Sequence, residues 1–105
     1  MNEIGRLKYF RNCLNETLRL TAQTSVASRV SPDRDIKLSN GATIPAGMPM
    51  ILALGKVMQD PEYWHHPETF DPDRYASMKV KMPFLLSPFG FAGARICPGR
   101  SLANA

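Results

Sequence analysis

The chain has 105 residues, enough for one domain or part of one and for a modest core only. Its hydrophobic share of 44% and charged share of 21% are ordinary for a globular protein. The net charge of +4 is spread without an arginine-rich tract, which argues against nucleic acid and leaves a solvated basic surface or a docking face for an acidic partner.

Two cysteines, Cys13 and Cys97, are too few for a disulfide framework, which fits a reducing environment or a cysteine reserved for chemistry. No run approaches the length of a membrane span, and Met1-Asn2-Glu3 does not open a signal peptide. Ser101-Leu102-Ala103-Asn104-Ala105 stops within a helix-like pattern, so a piece of something longer is expected.

Met1 to Leu20 reads as a helix: Ile4, Leu7, Leu14 and Leu18 recur on one side, with Asn2 as N-cap and Glu3 in the first turn. Thr21 to Ser31 is polar and β-branched, hence extended. Ile36-Lys37-Leu38 alternates like a strand, Asn40-Gly41 signals a turn, and Thr43-Ile44 is the return strand. Pro45-Ala46-Gly47 makes a second turn. Met50-Ile51-Leu52-Ala53-Leu54 reads as a buried strand, and Asp60-Pro61 starts a turn or short helix carrying Tyr63 and Trp64. Pro67 to Tyr75 is expected to be irregular, Lys79 to Pro88 a loop, and Pro98 the start of a helix. All nine prolines fall after residue 30, which argues against an all-helical bundle.

Two stretches carry chemistry. Glu16-Thr17-Leu18-Arg19 sets a carboxylate and a guanidinium on one helix face. Alone, that spacing usually means a surface ion pair worth little. Phe70-Asp71-Pro72-Asp73-Arg74-Tyr75 supplies a second arginine in a proline-stiffened, aromatic-flanked segment, so Glu16 is expected between Arg19 and Arg74. Such a shared carboxylate would lock an irregular loop onto a helix.

The second stretch is Phe89-Gly90-Phe91-Ala92-Gly93-Ala94-Arg95-Ile96-Cys97-Pro98-Gly99. Alone, Cys97 reads equally well as a small buried hydrophobe. Flanking glycines and a nearby cation favour instead a sulfur with open space around it, held as the thiolate that binds metals. Zinc would need more ligands at short spacing. Adjacent His65 and His66 are far from both cysteines in sequence and read better as a partly exposed pair beside Trp64.

In this order, the pieces resemble the C-terminal part of a cytochrome P-450, from the K helix to the first turn of the L helix. Glu16-Thr17-Leu18-Arg19 is similar to the family's Glu-x-x-Arg, Phe70 to Tyr75 to its Phe-x-Pro-x-Arg-aromatic segment, and Gly93 to Gly99 to its cysteine-loop signature. The implied fold class is α+β, mainly α in the complete protein: here a helix, short strands, an irregular meander and the cysteine loop. Residues 1–105 would be a partial domain on the proximal haem side, with no complete domain boundary within the chain.

The resemblance implies that Cys97 is the axial ligand of haem iron, the cofactor being haem b. It implies that Arg95 and Arg29 face haem propionates, that Phe89 or Phe91 packs under the haem, and that Gly93 and Gly99 shape the loop. Glu16, Arg19 and Arg74 would form a structural charge triad. Thr24, Ser25, Val26 and Ala27 fall where the family lines its substrate pocket. The aromatic expected seven residues before the cysteine is replaced by Gly90, which reads as a one-residue insertion around Ala92.

The implied activity is that of a haem-thiolate monooxygenase that activates O₂ and oxygenates a small, apolar organic substrate. Electrons would come from a NADPH-dependent flavoprotein reductase or another donor, docking near Arg95, Arg100, Lys79 and Lys81. The family also includes isomerases and dehydratases of peroxides, and the isolated piece would be a haem-free fragment. Membrane contact would be made only by segments outside this sequence, at the cytosolic face of the endoplasmic reticulum if the protein is eukaryotic.

Overall fold

A computed structural model describes residues 7–21, 26–78, 85–91 and 93–103. The expectations for Asn2, Glu3, Ile4, Thr24, Ser25, Lys79, Lys81, Ala92, Asn104 and Ala105 fall outside these residues.

Helix α1 spans Lys8–Thr21. It contains no proline. Thr17 and Thr21 tie their hydroxyls to the carbonyls four residues back, at 2.9 and 2.6 Å. Its buried residues are Glu16 and Arg19. Leu7 is 59% exposed, and Leu14 and Leu18 are only half-buried. The apolar stripe is therefore not the face this chain covers. The packed edge is ionic, because the loop lying on it offers an arginine and backbone carbonyls.

Strands β1 (Ala27–Val30) and β4 (Pro49–Leu52) pair antiparallel, with Ala27 opposite Leu52 and Arg29 opposite Met50. The period of two turns Ala27, Arg29, Met50 and Leu52 to the covered side and leaves Val30 and Ile51 in solvent. Ser31 pins the strand ends: its hydroxyl donates to Pro45 O at 2.6 Å and accepts from Met48 N–H at 2.7 Å. Strands β2 (Ile36–Lys37) and β3 (Thr43–Ile44) form the expected hairpin, with Ile36 opposite Ile44. Its turn uses Gly41 at φ +87° and Asn40 Oδ1, which accepts from Ala42 N–H at 3.0 Å.

The apolar run at Met50–Leu54 is not a buried strand. Ile51 is 75% exposed, and Leu54 instead opens the single helical turn α2, Leu54–Val57. A two-stranded ladder covers one face only, so an unbroken apolar run cannot be buried on both sides within this chain. Its role is to deliver Met58, which is fully buried.

Trp64 is 2% exposed, and its indole N–H donates to Val57 O at 3.0 Å. His65 and His66 are exposed, with their rings edge-on at 4.0 Å. The segment expected to be irregular up to Tyr75 becomes helical at α3, Arg74–Ser77. That turn carries Arg74 and Tyr75 towards α1. A single 3-10 turn, Gly93–Arg95, and a last helical turn α4, Arg100–Ala103, frame Cys97.

Candidate functional site

Two clusters meet on α1. The first is the carboxylate of Glu16, which has no exposed surface. Arg19 grips it with two parallel bonds, Nε to Oε2 and Nη2 to Oε1, both 2.9 Å. Arg74 Nε reaches Oε1 at 3.0 Å, the Asp71 N–H reaches Oε1 at 3.1 Å, and the Tyr75 hydroxyl donates to Oε2 at 3.0 Å.

The remaining guanidinium protons find backbone carbonyls. Arg19 Nη1 donates to Met58 O at 2.9 Å. Arg74 donates to the carbonyls of His65, His66 and Thr69. His66 holds φ +45°. It serves the cluster through its carbonyl and not its ring. Arg19 also lies over the Trp64 ring, 5.1 Å from its centroid, and Trp64 meets Tyr75 edge-on.

Burying three charges is costly unless every polar atom is paired. That condition is met: among the described residues, no buried side-chain nitrogen or oxygen lacks a partner. Burial pushes the Glu16 carboxyl up, but the Arg19, Asp71 and Tyr75 hydrogen bonds outweigh it and hold the group below its ordinary value. The Tyr75 phenol is pushed well up, by burial first and then by the Glu16 charge and hydrogen bond. Glu16, Arg19 and Arg74 are thus brought together. The carbonyls, Trp64 and Tyr75 completing the clasp were missed because only the folded path assigns them a role: Met58 lies 39 positions from Arg19 and Tyr75 59 from Glu16.

The second cluster is the cysteine loop. Gly90 takes φ +79° and donates its N–H to Ser87 O at 3.0 Å. Gly93 takes φ +49°, a region that a side chain enters only with strain. The Cys97 N–H donates to Phe89 O at 3.0 Å and closes the loop, while the Cys97 carbonyl accepts from Arg100 N–H at 3.1 Å and starts α4. Cys97 is exposed. A Cβ on Gly99 would stand 3.7 Å from the Cys97 Sγ, so the glycine lies directly against the sulfur.

A cavity of about 560 Å³ opens at that sulfur. Cys97, Arg95, Arg29 and Phe89 all line it, as do Val26 and Ala27 at the start of β1. Leu18 and Thr21 of α1 and Leu54 complete the wall. Sequence reading missed these three, although Leu18 and Thr21, three apart, share one helix face.

Phe91 does not line this cavity. It lines a smaller one of about 240 Å³, with Asn15, Ile96 and Arg100. Phe89 lines both, which separates the two phenylalanines that the sequence left as alternatives. Gly93 and Gly99 line neither and act on the backbone path and on the space at the sulfur. The arrangement presents one sulfur and two guanidiniums on one face of an open wall, which suits a flat anionic partner with a metal at its centre.

Residues 1–105 match the family model described as Cytochrome P450. The chain is 39% identical to cytochrome P450 71D18 of Mentha gracilis over 102 residues, covering 94% of this chain and 20% of that protein. It is 40% identical to thromboxane-A synthase of Sus scrofa over 98 residues (91% and 18%). It is 41% identical to cytochrome P450 18a1 of Drosophila melanogaster over 106 residues (99% and 19%). The chain spans about a fifth of the length of these relatives. With the family model matched along its whole length, the chain belongs to the cytochrome P450 family.

Proposed function

We propose that this chain forms the proximal wall of a haem-thiolate monooxygenase. The observation that carries the reading is the single cavity shared by Cys97, Arg95, Arg29 and Phe89. The donor set fits haem b: a thiol with open space before it, two cations for the propionates and an aromatic for the macrocycle. Bound through a thiolate, haem supplies the activation of O₂, one atom of which enters an organic substrate while the other leaves as water.

The chain's own residues do the positioning. The Phe89 carbonyl fixes the Cys97 backbone, and Gly99 lies beside the sulfur, where a Cβ would stand in ordinary contact with it. Gly93 and Gly90 turn the loop so that Arg95 and Cys97 line the same cavity. The clasp holds the loop through Tyr75 on α1, and α1 contributes Leu18 and Thr21 to the cavity wall. Glu16, Arg19 and Arg74 are thus structural and touch no substrate.

The substrate is proposed to be small and apolar, as Val26, Ala27 and Leu54 suggest. The electron donor is proposed to be a NADPH-dependent flavoprotein reductase, attracted to the basic face at Arg95 and Arg100. Among the described residues, no helix is long and apolar enough to cross a membrane. Residence at the endoplasmic reticulum is proposed for the full-length protein by likeness to its eukaryotic relatives. Because Cys97 is exposed in this chain, the isolated piece is proposed to hold haem weakly.

The test is turnover of the full-length protein with a reductase, NADPH and ¹⁸O₂ on a panel of apolar substrates. One labelled oxygen in the product is expected. Haem-loaded protein that inserts no labelled oxygen, but rearranges organic peroxides without a reductase, would replace this reading with isomerase chemistry.

A further inference from the structure

We propose that Tyr75 is a positioning residue and the fourth member of the clasp: its hydroxyl donates to Glu16 Oε2 and holds that carboxylate oriented for both arginines.

The geometry gives the hydroxyl a defined task. Glu16 Oε1 accepts from Arg19 Nη2, Arg74 Nε and the Asp71 N–H. Oε2 accepts from Arg19 Nε and from the Tyr75 hydroxyl. Without the hydroxyl, one lone pair of a fully buried carboxylate would face the edge of a phenyl ring. The Tyr75 ring is held edge-on by Trp64, at 6.2 Å and 67°, and Trp64 is itself anchored to Val57 O. The hydroxyl is therefore placed by packing, not by chance rotation.

The groups facing Glu16 are Arg19 from α1, Arg74 and Tyr75 from α3, and the Asp71 amide from the loop. Asp71's own carboxylate is turned to the Asp73 N–H at 3.0 Å. Tyr75 is thus the neutral side-chain donor, beside two cations and a backbone amide. Its removal makes Glu16 easier to protonate. A protonated Glu16 releases the Asp71 amide, so the loop should open at a higher pH than in the wild type.

The experiment is hydrogen exchange on peptides spanning Asp71 in the full-length protein, as a function of pH, for wild type and Tyr75→Phe. The expected result is a fall in protection of about tenfold at neutral pH, matching one charge-assisted hydrogen bond. An acid midpoint of opening raised by about one pH unit is expected with it. Unchanged protection and an unchanged midpoint would overturn the proposal. If Tyr75→Phe fails to fold, 3-fluorotyrosine at position 75 keeps ring and hydroxyl but makes the phenol more acidic. The alkaline limit of protection should then move to lower pH, and an unmoved limit would overturn the proposal. Both readouts come from the loop's own amides and stand whether or not Cys97 proves to bind haem.

Discussion

The clasp and the cysteine loop both set charged side chains beside α1 and finish in opposite states. In the clasp, Glu16, Arg19 and Arg74 are buried and every donor and acceptor is answered within the chain. In the loop, Cys97 is exposed and Arg95 and Arg29 line an open cavity. One cluster is complete in itself and the other is half a site. The difference teaches which cluster is scaffold and which is the proposed cofactor wall: the same α1 helix turns Glu16 into the first and Leu18 into the second.

The sharpest way to break that contrast is Glu16→Ala. It leaves two buried guanidiniums without their anion, a loss of about 3–5 kcal/mol. The full-length variant should be purified without stable haem, and full haem content would contradict the scaffold role. Next comes Arg19→Lys, which keeps the charge but loses the two-pronged grip and the bond to Met58 O. It should cost about 1.5–3 kcal/mol by chemical denaturation.

Smaller again is Gly93→Ala in the loop. It forces a side chain into φ +49° and should cost about 1–2 kcal/mol, with haem lost faster on warming. Arg29→Ala should be the mildest. It removes one of two cavity cations, weakening haem retention by about tenfold or less while leaving the melting temperature nearly unchanged.

Acid and alkali act on the clasp through different groups. The Glu16 carboxyl is held below its ordinary value, so its stabilisation is present above the unfolded value and lost as pH falls through the lower folded one. Tyr75 is shifted the other way, so its contribution is present below the ordinary phenol value and lost only as pH rises through the raised one. The loop around Asp71 should therefore stay closed across neutral pH and open first in acid, as hydrogen exchange would show.

The sequence made the ionic part of the clasp legible because Glu16 and Arg19 share a helix face and Arg74 sits in a stiff, aromatic-flanked segment. It also made the β2–β3 hairpin legible, since Asn40-Gly41 is a local signal. Apolar content alone misled at Met50–Leu54. Whether such a run is buried depends on what covers the second face of its sheet, which no local pattern encodes. The carbonyls of Met58, His65, His66 and Thr69 were illegible for a simpler reason: every residue has a carbonyl, and only the folded path aims these four at arginines. The two phenylalanines were equivalent as letters and are separated only in the fold, where Phe89 lines the cavity at Cys97 and Phe91 does not.

The central claim is that Cys97 presents its sulfur, as a thiolate, to haem iron. The most direct measurement is the reduced, CO-bound absorption spectrum of the full-length protein beside its Cys97→Ser variant. The account predicts the red-shifted thiolate Soret band in the wild type and its loss in the variant, with the clasp still protected from exchange. The same red-shifted band in Cys97→Ser, or none in a fully haem-loaded wild type, would contradict it.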